Sequence, residues 1–419
     1  MSKLRKITAI IVLTIIVLTV CAGCSHQHKF DKEWSCDYQS HWHKALCGDT
    51  DEIADKGGHI YENALCTICG YKRAATLSLF TVNGNFHTEL QALFIADSYD
   101  NAHLYADGRA ERSLPQDIGI YWNYQPESLP LKNLKEFKLT FSCDKGNTNS
   151  VAVTPYLNEN GTYSYQLQNP YLNAAYDVQV QAIDNSNQII TEDTIRFNTT
   201  ANGPRNVKID GVTNARDLGG YVTDQGEIKQ GLLYRTARLN KSNQTQVTVE
   251  ITEEGIRTML NDLKVKTEID LRGHGDDEPG AITQSVLGDG VNYFLIKMVY
   301  GSDMFKRKEH VKQAFDILCD ERNYPVFFHC HIGTDRTGFI AFLCLALLGA
   351  DEQTIYTDYM FSNFGHIGSK RDPHKITNYL NAVAEYDGNT LANKTESYLY
   401  ECGITPQQIQ AFRDIMLLK

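Results

Sequence analysis

One stretch constrains the fold more than any other. Pro325-Val326-Phe327-Phe328 is an apolar run of strand length, and Phe339 to Leu348 is an apolar run of helical length ending near Gly349. Between them lie His329-Cys330-His331-Ile332-Gly333-Thr334-Asp335-Arg336-Thr337-Gly338. These ten residues form a strand-to-helix loop. Such a loop aims backbone N–H groups and the positive end of a helix dipole at one point, which suits a phosphate dianion. A thiol at its base loses its proton readily, since electropositive settings lower cysteine pKa values to roughly 3.5–7.5. The arginine six positions on can grip two phosphate oxygens as a planar fork. Cys330, the loop backbone and Arg336 thus supply a nucleophile, an oxyanion cradle and a charge clamp.

Three further blocks precede the loop. They are Asn214 to Tyr221, Gly231 to Leu239, and the β-type run Thr267 to Arg272. His329-Cys330-x5-Arg336-Thr337-Gly338 resembles the signature of the cysteine-dependent protein tyrosine phosphatase superfamily. The four blocks in this order resemble its bacterial tyrosine/lipid phosphatase branch, over nearly all of 205–419. That resemblance implies an α/β domain with a central sheet flanked by helices, and phosphate ester hydrolysis through a phosphocysteine with no catalytic cofactor. It implies Cys330 as nucleophile, and Arg336 with the N–H groups of His331, Ile332, Gly333 and Thr334 on the phosphoryl oxygens. Thr337 would hydrogen-bond the thiolate, His329 would support the loop and lower the thiol pKa, and Asp335 would be the general acid. Thr334 stands where this branch often has a lysine linked to phosphoinositide recognition, which weakens a lipid-phosphatase reading. Asp270 is expected to support the loop from the neighbouring strand. Arg216 and Asp217 are read either as a buried pair holding the first turn or as direct participants. The acidic loop 273–278 offers Asp276 or Asp277 as an alternative acid, and Met304 to Cys319 and Phe361 to His366 are lid candidates.

The remaining chain reads as three further segments. Residues 1–24 have a basic start (Lys3, Arg5, Lys6), an apolar run from Ile7 to Val20 and then Cys21-Ala22-Gly23-Cys24. The run is short for a membrane span of about 20 residues and fits an export signal. Its end resembles a bacterial lipobox, with Cys24 as the lipidated residue and the outer face of the cell membrane as the destination. Residues 25–75 hold five of the thirteen histidines and four of the eleven cysteines. Cys66-Thr67-Ile68-Cys69-Gly70 has the form of a zinc knuckle, and Cys47-Gly48 repeats its end. The expectation is a zinc-ribbon-like module with structural zinc on His43, Cys47, Cys66 and Cys69, and Cys36 or His59 as substitutes. A disulfide-stapled spacer is the alternative that export permits. Residues 76–203 read as β, with alternation at Tyr176 to Ala182 and turn signals at Asn83-Gly84 and Asn160-Gly161. Leu129 to Thr200 resembles a fibronectin type III or immunoglobulin-like β-sandwich, with Tyr171 to Tyr176 as a corner. Ala201 to Pro204 is the expected linker into a catalytic domain over 204–419.

The net charge is −11, and residues 1–23 carry three positive charges and no negative ones, so the rest is more acidic still. That balance argues against nucleic-acid binding. Two functions remain in view. One is an exported, lipid-anchored phosphomonoesterase acting on a phosphorylated protein or small phosphate ester. The other is a surface adhesion or binding lipoprotein whose phosphatase-like domain is inactive.

Overall fold

The computed structural model describes residues 27–97, 99–241, 249–273, 282–299, 301 and 303–418. The expected signal segment with Cys24, and Asp276 and Asp277, lie outside them. No helix among the described residues is long and apolar enough to cross a membrane.

Three bodies follow one another. The first is a small module with a three-stranded antiparallel sheet of Ser35–Cys36, Ser40–Lys44 and Ile53–Gly58 in that order, and a two-stranded ribbon of Tyr61–Glu62 and Leu65–Cys66.

The second body has two antiparallel sheets. One has Tyr163–Leu167, Ile118–Pro126 and Ala75–Leu79 side by side. The other has Ile189–Asn198, Ala175–Asp184, Leu134–Cys143 and Gly146–Val153. Alternate side chains of both sheets share one core, with Trp122 edge-on to Phe137 at 5.2 Å between centroids and Val178 and Val180 fully buried. The Tyr176 hydroxyl accepts the Tyr171 N–H at 2.9 Å, closing the expected corner. The first sheet draws on Ala75–Leu79 and Ile118–Pro126, well before Leu129.

Between those two strands the chain leaves the sheets. Helix Glu89–Ala96 starts from a capping box on Thr88, and its Phe94 packs against Phe361 and Phe364 of the third body. Main-chain bonds from Gly108 to Asn363 (2.7 Å) and from Arg112 to Phe364 (2.6 Å) fix this segment there. The expected linker Ala201 to Pro204 is flanked by buried bonds from third-body side chains. Asn206 Nδ2 donates to the Ser113 carbonyl at 2.7 Å, and Arg205 Nε to the Pro170 carbonyl at 2.9 Å.

The third body is α/β. Its six-stranded sheet runs Arg205–Asn206, Arg216–Asp217, Leu233–Thr236, Val326–His329, Thr267–Asp270, Asn292–Leu295, and the last four strands are parallel. Parallel sheets are covered on both faces, which accounts for complete burial along Val326–His329 and Thr267–Asp270. Helix Arg336–Leu347 has all of its residues buried, as its unbroken apolar run requires, and ends before Gly349 at φ +84°. Lys308–Leu318, Glu352–Met360, His374–Ala384, Leu391–Glu401 and Pro406–Met416 complete the helical layer. The two lid candidates are core instead. Val311, Ala314, Phe315, Phe361 and Phe364 are all fully buried, because their apolar side chains face the helical layer.

Candidate active site

The parallel register pairs His329 with Thr236 on one side and with Asp270 on the other. The carboxyl ends of three strands therefore meet at Cys330, where α/β sheets hold their ligands. From there residues 330–335 arch over to the start of helix Arg336–Leu347.

The arch is shaped by donors from outside it. Arg238 Nη1 donates to the His331 carbonyl at 3.0 Å, Asn214 Nδ2 to the Ile332 carbonyl at 3.1 Å, and Arg235 Nη2 to the Gly333 carbonyl at 2.8 Å. In a trans peptide the N–H points opposite to the C=O. Pulling three successive carbonyls outward therefore turns the N–H groups of Ile332, Gly333 and Thr334 inward. Gly333 is required at the apex. Its φ is +73°, and a Cβ there would lie 2.3 Å from the Thr236 carbonyl oxygen.

Cys330 is 2% exposed. Burial pushes its thiol up, but the Arg336 charge and the Thr337 hydroxyl and N–H outweigh that and leave it below its ordinary value. Among the described residues the Thr337 hydroxyl has no other hydrogen-bond partner, which leaves it available to the sulfur. Arg336 is aimed by the Leu271 carbonyl at 3.2 Å. His329 contacts the loop through its ring. Its Nδ1 donates to the Cys330 carbonyl at 3.1 Å and its Nε2 to Glu268 Oε1 at 2.9 Å. Both partners are acceptors, so the ring carries both protons. Burial disfavours that charge, but Asp270 and Glu268 raise the ring's pKa above its ordinary value. The ring thus fixes the Cys330 peptide, and the Arg336 charge lowers the thiol.

Asp270 supports the loop indirectly. It takes Arg272 in a fork at 2.8 and 2.6 Å and the Tyr293 hydroxyl at 2.9 Å. Burial raises its carboxyl, while His329 and Arg272 bring it below its usual value. Arg216 and Asp217 are both buried but do not pair with each other, because neighbours on a strand point to opposite faces. Asp217 takes Arg205 at 2.7 Å. Arg216 reaches Asp358 Oδ1 at 2.8 Å and Ser362 Oγ at 3.0 Å. Asp358 also binds Arg235, the residue that holds Gly333. Burial pushes Asp358 up, but the two guanidiniums hold it below the ordinary carboxyl value.

Asp335 stands at the helix start, and Lys375 from helix His374–Ala384 grips its Oδ1 at 2.5 Å. Glu268, Arg235, Arg238, Asp358 and Lys375 are the site residues that sequence reasoning assigned no role. Arg235, Arg238 and Glu268 fall within the runs Gly231 to Leu239 and Thr267 to Arg272, but only their burial at the strand ends marks them.

The description of the tyrosine phosphatase family matches residues 207–418, half of the chain. The chain belongs to the tyrosine phosphatase family. A Cupriavidus necator protein named as a tyrosine-protein phosphatase is 26% identical to this family member over 188 residues, 38% of this chain. The match spans 64% of that relative's own length. Among solved structures, TpbA of P. aeruginosa aligns at 18% identity and a TM-score of 0.27, over 43% of this phosphatase-family chain and 91% of its own. The core catalytic domain of the PP-IP phosphatase Siw14 from S. cerevisiae aligns at 16% identity and 0.26, over 39% and 84%.

On the metal side, the expected set divides. His43 stacks on Trp34 at 3.9 Å between centroids with its Nδ1 on the Glu33 carbonyl, and exposed Cys47 lies 3.3 Å from His28 Nδ1. Neither joins Cys66 and Cys69. Among the described residues His41 and His59 do, their ligand atoms and the two sulfurs all lying within 4.8 Å of one another. Trp34 lies edge-on to His41 and stacks on His43. Spacing along the chain favoured Cys47, whereas strand pairing decides the neighbours.

Proposed function

We propose that this chain is an exported, lipid-anchored phosphomonoesterase that hydrolyses phosphotyrosine or related phosphate esters through a phosphocysteine at Cys330. The observation that carries the reading is the arch, whose three carbonyls are drawn outward above a buried thiol held below its ordinary pKa. The Cys330 thiolate attacks phosphorus. The three equatorial oxygens lie against the inward N–H groups and the Arg336 fork, donors already in place before reaction. The S–P bond forms as the ester O–P bond breaks, and the departing oxygen takes a proton from Asp335. Water then attacks phosphorus, giving a proton back to Asp335, and the thiolate leaves with Thr337 stabilising its charge. Lys375 holds the Asp335 carboxyl at the loop until a leaving group arrives. Export rests on the sequence of residues 1–24 alone. The two antiparallel sheets, read as fibronectin III-like, space the site from the anchor.

Hydrolysis of p-nitrophenyl phosphate by the purified protein tests this. Turnover lost in Cys330→Ser is expected. A folded wild-type protein with no turnover on aryl phosphates would leave the adhesion reading in its place.

A further inference from the structure

The N-terminal module has almost nothing apolar inside it. Between residues 27 and 73, Ala45 and Cys66 are the buried hydrophobic residues among those described. Chains of this size without a core need a crosslink or a metal to hold a fold. The centre of the module is instead occupied by two imidazoles and two thiols.

Their arrangement suits a cation. The His59 Nε2 lies 2.9 Å from the Asp37 carbonyl, which can only accept, so Nε2 carries the ring proton. The Nδ1 lone pair then faces Cys69 Sγ at 3.4 Å. Two ligand atoms on one tetrahedral zinc, with Zn–S of about 2.3 Å and Zn–N of about 2.0 Å, lie about 3.5 Å apart. The Cys66 sulfur accepts the N–H groups of Ile68 and Cys69, the hairpin that lets two sulfurs three positions apart face one point. His41 is 3% exposed and among the described residues its Nδ1 has no hydrogen-bond partner, an orphan that burial makes costly. Opposite its ring the strand partner is Gly57, where a Cβ would lie 3.3 Å from His41 Nε2, so the absence of a side chain makes room for the imidazole.

We propose that His41, His59, Cys66 and Cys69 bind one zinc ion in a closed tetrahedral site that substitutes for the module's missing core. Four protein ligands leave no open position, so the ion is structural. The carbonyl of Asp37 orients one ligand from behind, as outer partners of metal-bound histidines do. Tyr38, next in sequence, packs against the core of the two-sheet body, so the site also fixes the module to its neighbour.

The test is metal analysis of the full-length protein, purified with its thiols reduced, supplied with zinc and freed of loose ions. One zinc per chain is expected. It should persist in His43→Ala, Cys47→Ser and Cys36→Ser and be lost in His41→Ala, His59→Ala and Cys69→Ser. Because the last three can unfold the module, the wild type carries a separate readout. Its cobalt derivative should show the strong visible absorption of a tetrahedral ion and a charge-transfer band of two thiolates. Absence of zinc with the thiols reduced, iron in its place, or loss of zinc in His43→Ala or Cys47→Ser would overturn the assignment.

Discussion

Asp358 sits 28 positions beyond the nucleophile in sequence and touches no substrate, yet it is the counterion for two buried guanidiniums. Asp358→Asn keeps the shape and removes the charge. Arg216 retains the Asn214 and Ser362 oxygens, but Arg235 keeps only the Gly333 carbonyl among its named partners. Removing one partner of a buried pair costs about 3–5 kcal/mol, mostly from the uncompensated charge left behind. For a domain of this size 1 kcal/mol corresponds to about 2–4 °C. The expected fall in Tm is therefore roughly 6–20 °C, read by circular dichroism at neutral pH. Acid should distinguish the two proteins further. The folded pKa of Asp358 is depressed, so its contribution is fully present above the ordinary value of 3.8 and is lost as pH falls below it. The variant lacks that contribution and should lose less stability across this window. Arg235 also aligns the arch, so kcat/KM at a temperature where the variant is folded should drop at least about tenfold, below the 10²–10³ cost of losing an oxyanion donor outright. A Tm within about 2 °C of wild type, with unchanged kcat/KM, would refute the argument that this carboxylate holds the cradle.

Iodoacetamide should alkylate Cys330 well below the pH at which ordinary thiols react, and Arg336→Met should move that midpoint upward. Peptide mapping gives the contrast, because burial pushes Cys319 up to about 12 and Cys402 up to about 11. Asp335→Asn should reduce kcat about 10²–10⁴-fold on an alkyl phosphate and far less on p-nitrophenyl phosphate, whose leaving group hardly needs a proton. Equal losses on both would remove Asp335 from the acid's role. Gly333→Ala should lower kcat/KM and Tm together, since the backbone conformation and the clash with Thr236 are both unfavourable. A variant of wild-type activity would mean the arch has more room than its geometry gives it.

The phosphate loop was legible because everything it needs is local. A strand, a turn-forming Gly333 and a buried helix stand within 25 residues. Its supports were not, because each is a long-range pairing. Lys375 meets Asp335 across 40 positions and Glu268 meets His329 across 61, and nothing in either neighbourhood announces the partner. The strand Ile118–Pro126 lies within the stretch read as β, but no bounds were set for it there. Ile118, Ile120, Trp122 and Tyr124 alternate inward as clearly as Tyr176 to Ala182 do, so period-two counting through that region would have found it. The mistaken pairing of Arg216 with Asp217 came from treating adjacency in sequence as adjacency in space.

The bonds flanking residues 201–204 have a mechanical consequence. Gln230 and Leu172 exchange two hydrogen bonds, Lys145 meets Glu227 at 2.8 Å, and Lys208 meets Asp117 at 3.0 Å. Together with Phe94 and Arg205, these ties make the covalent joint redundant. A protease that nicked the chain at Asn202 would leave two fragments still clasped, and the catalytic arch would have no swivel of its own. Its direction of approach to a target would then be dictated by whatever grips the other end of the molecule.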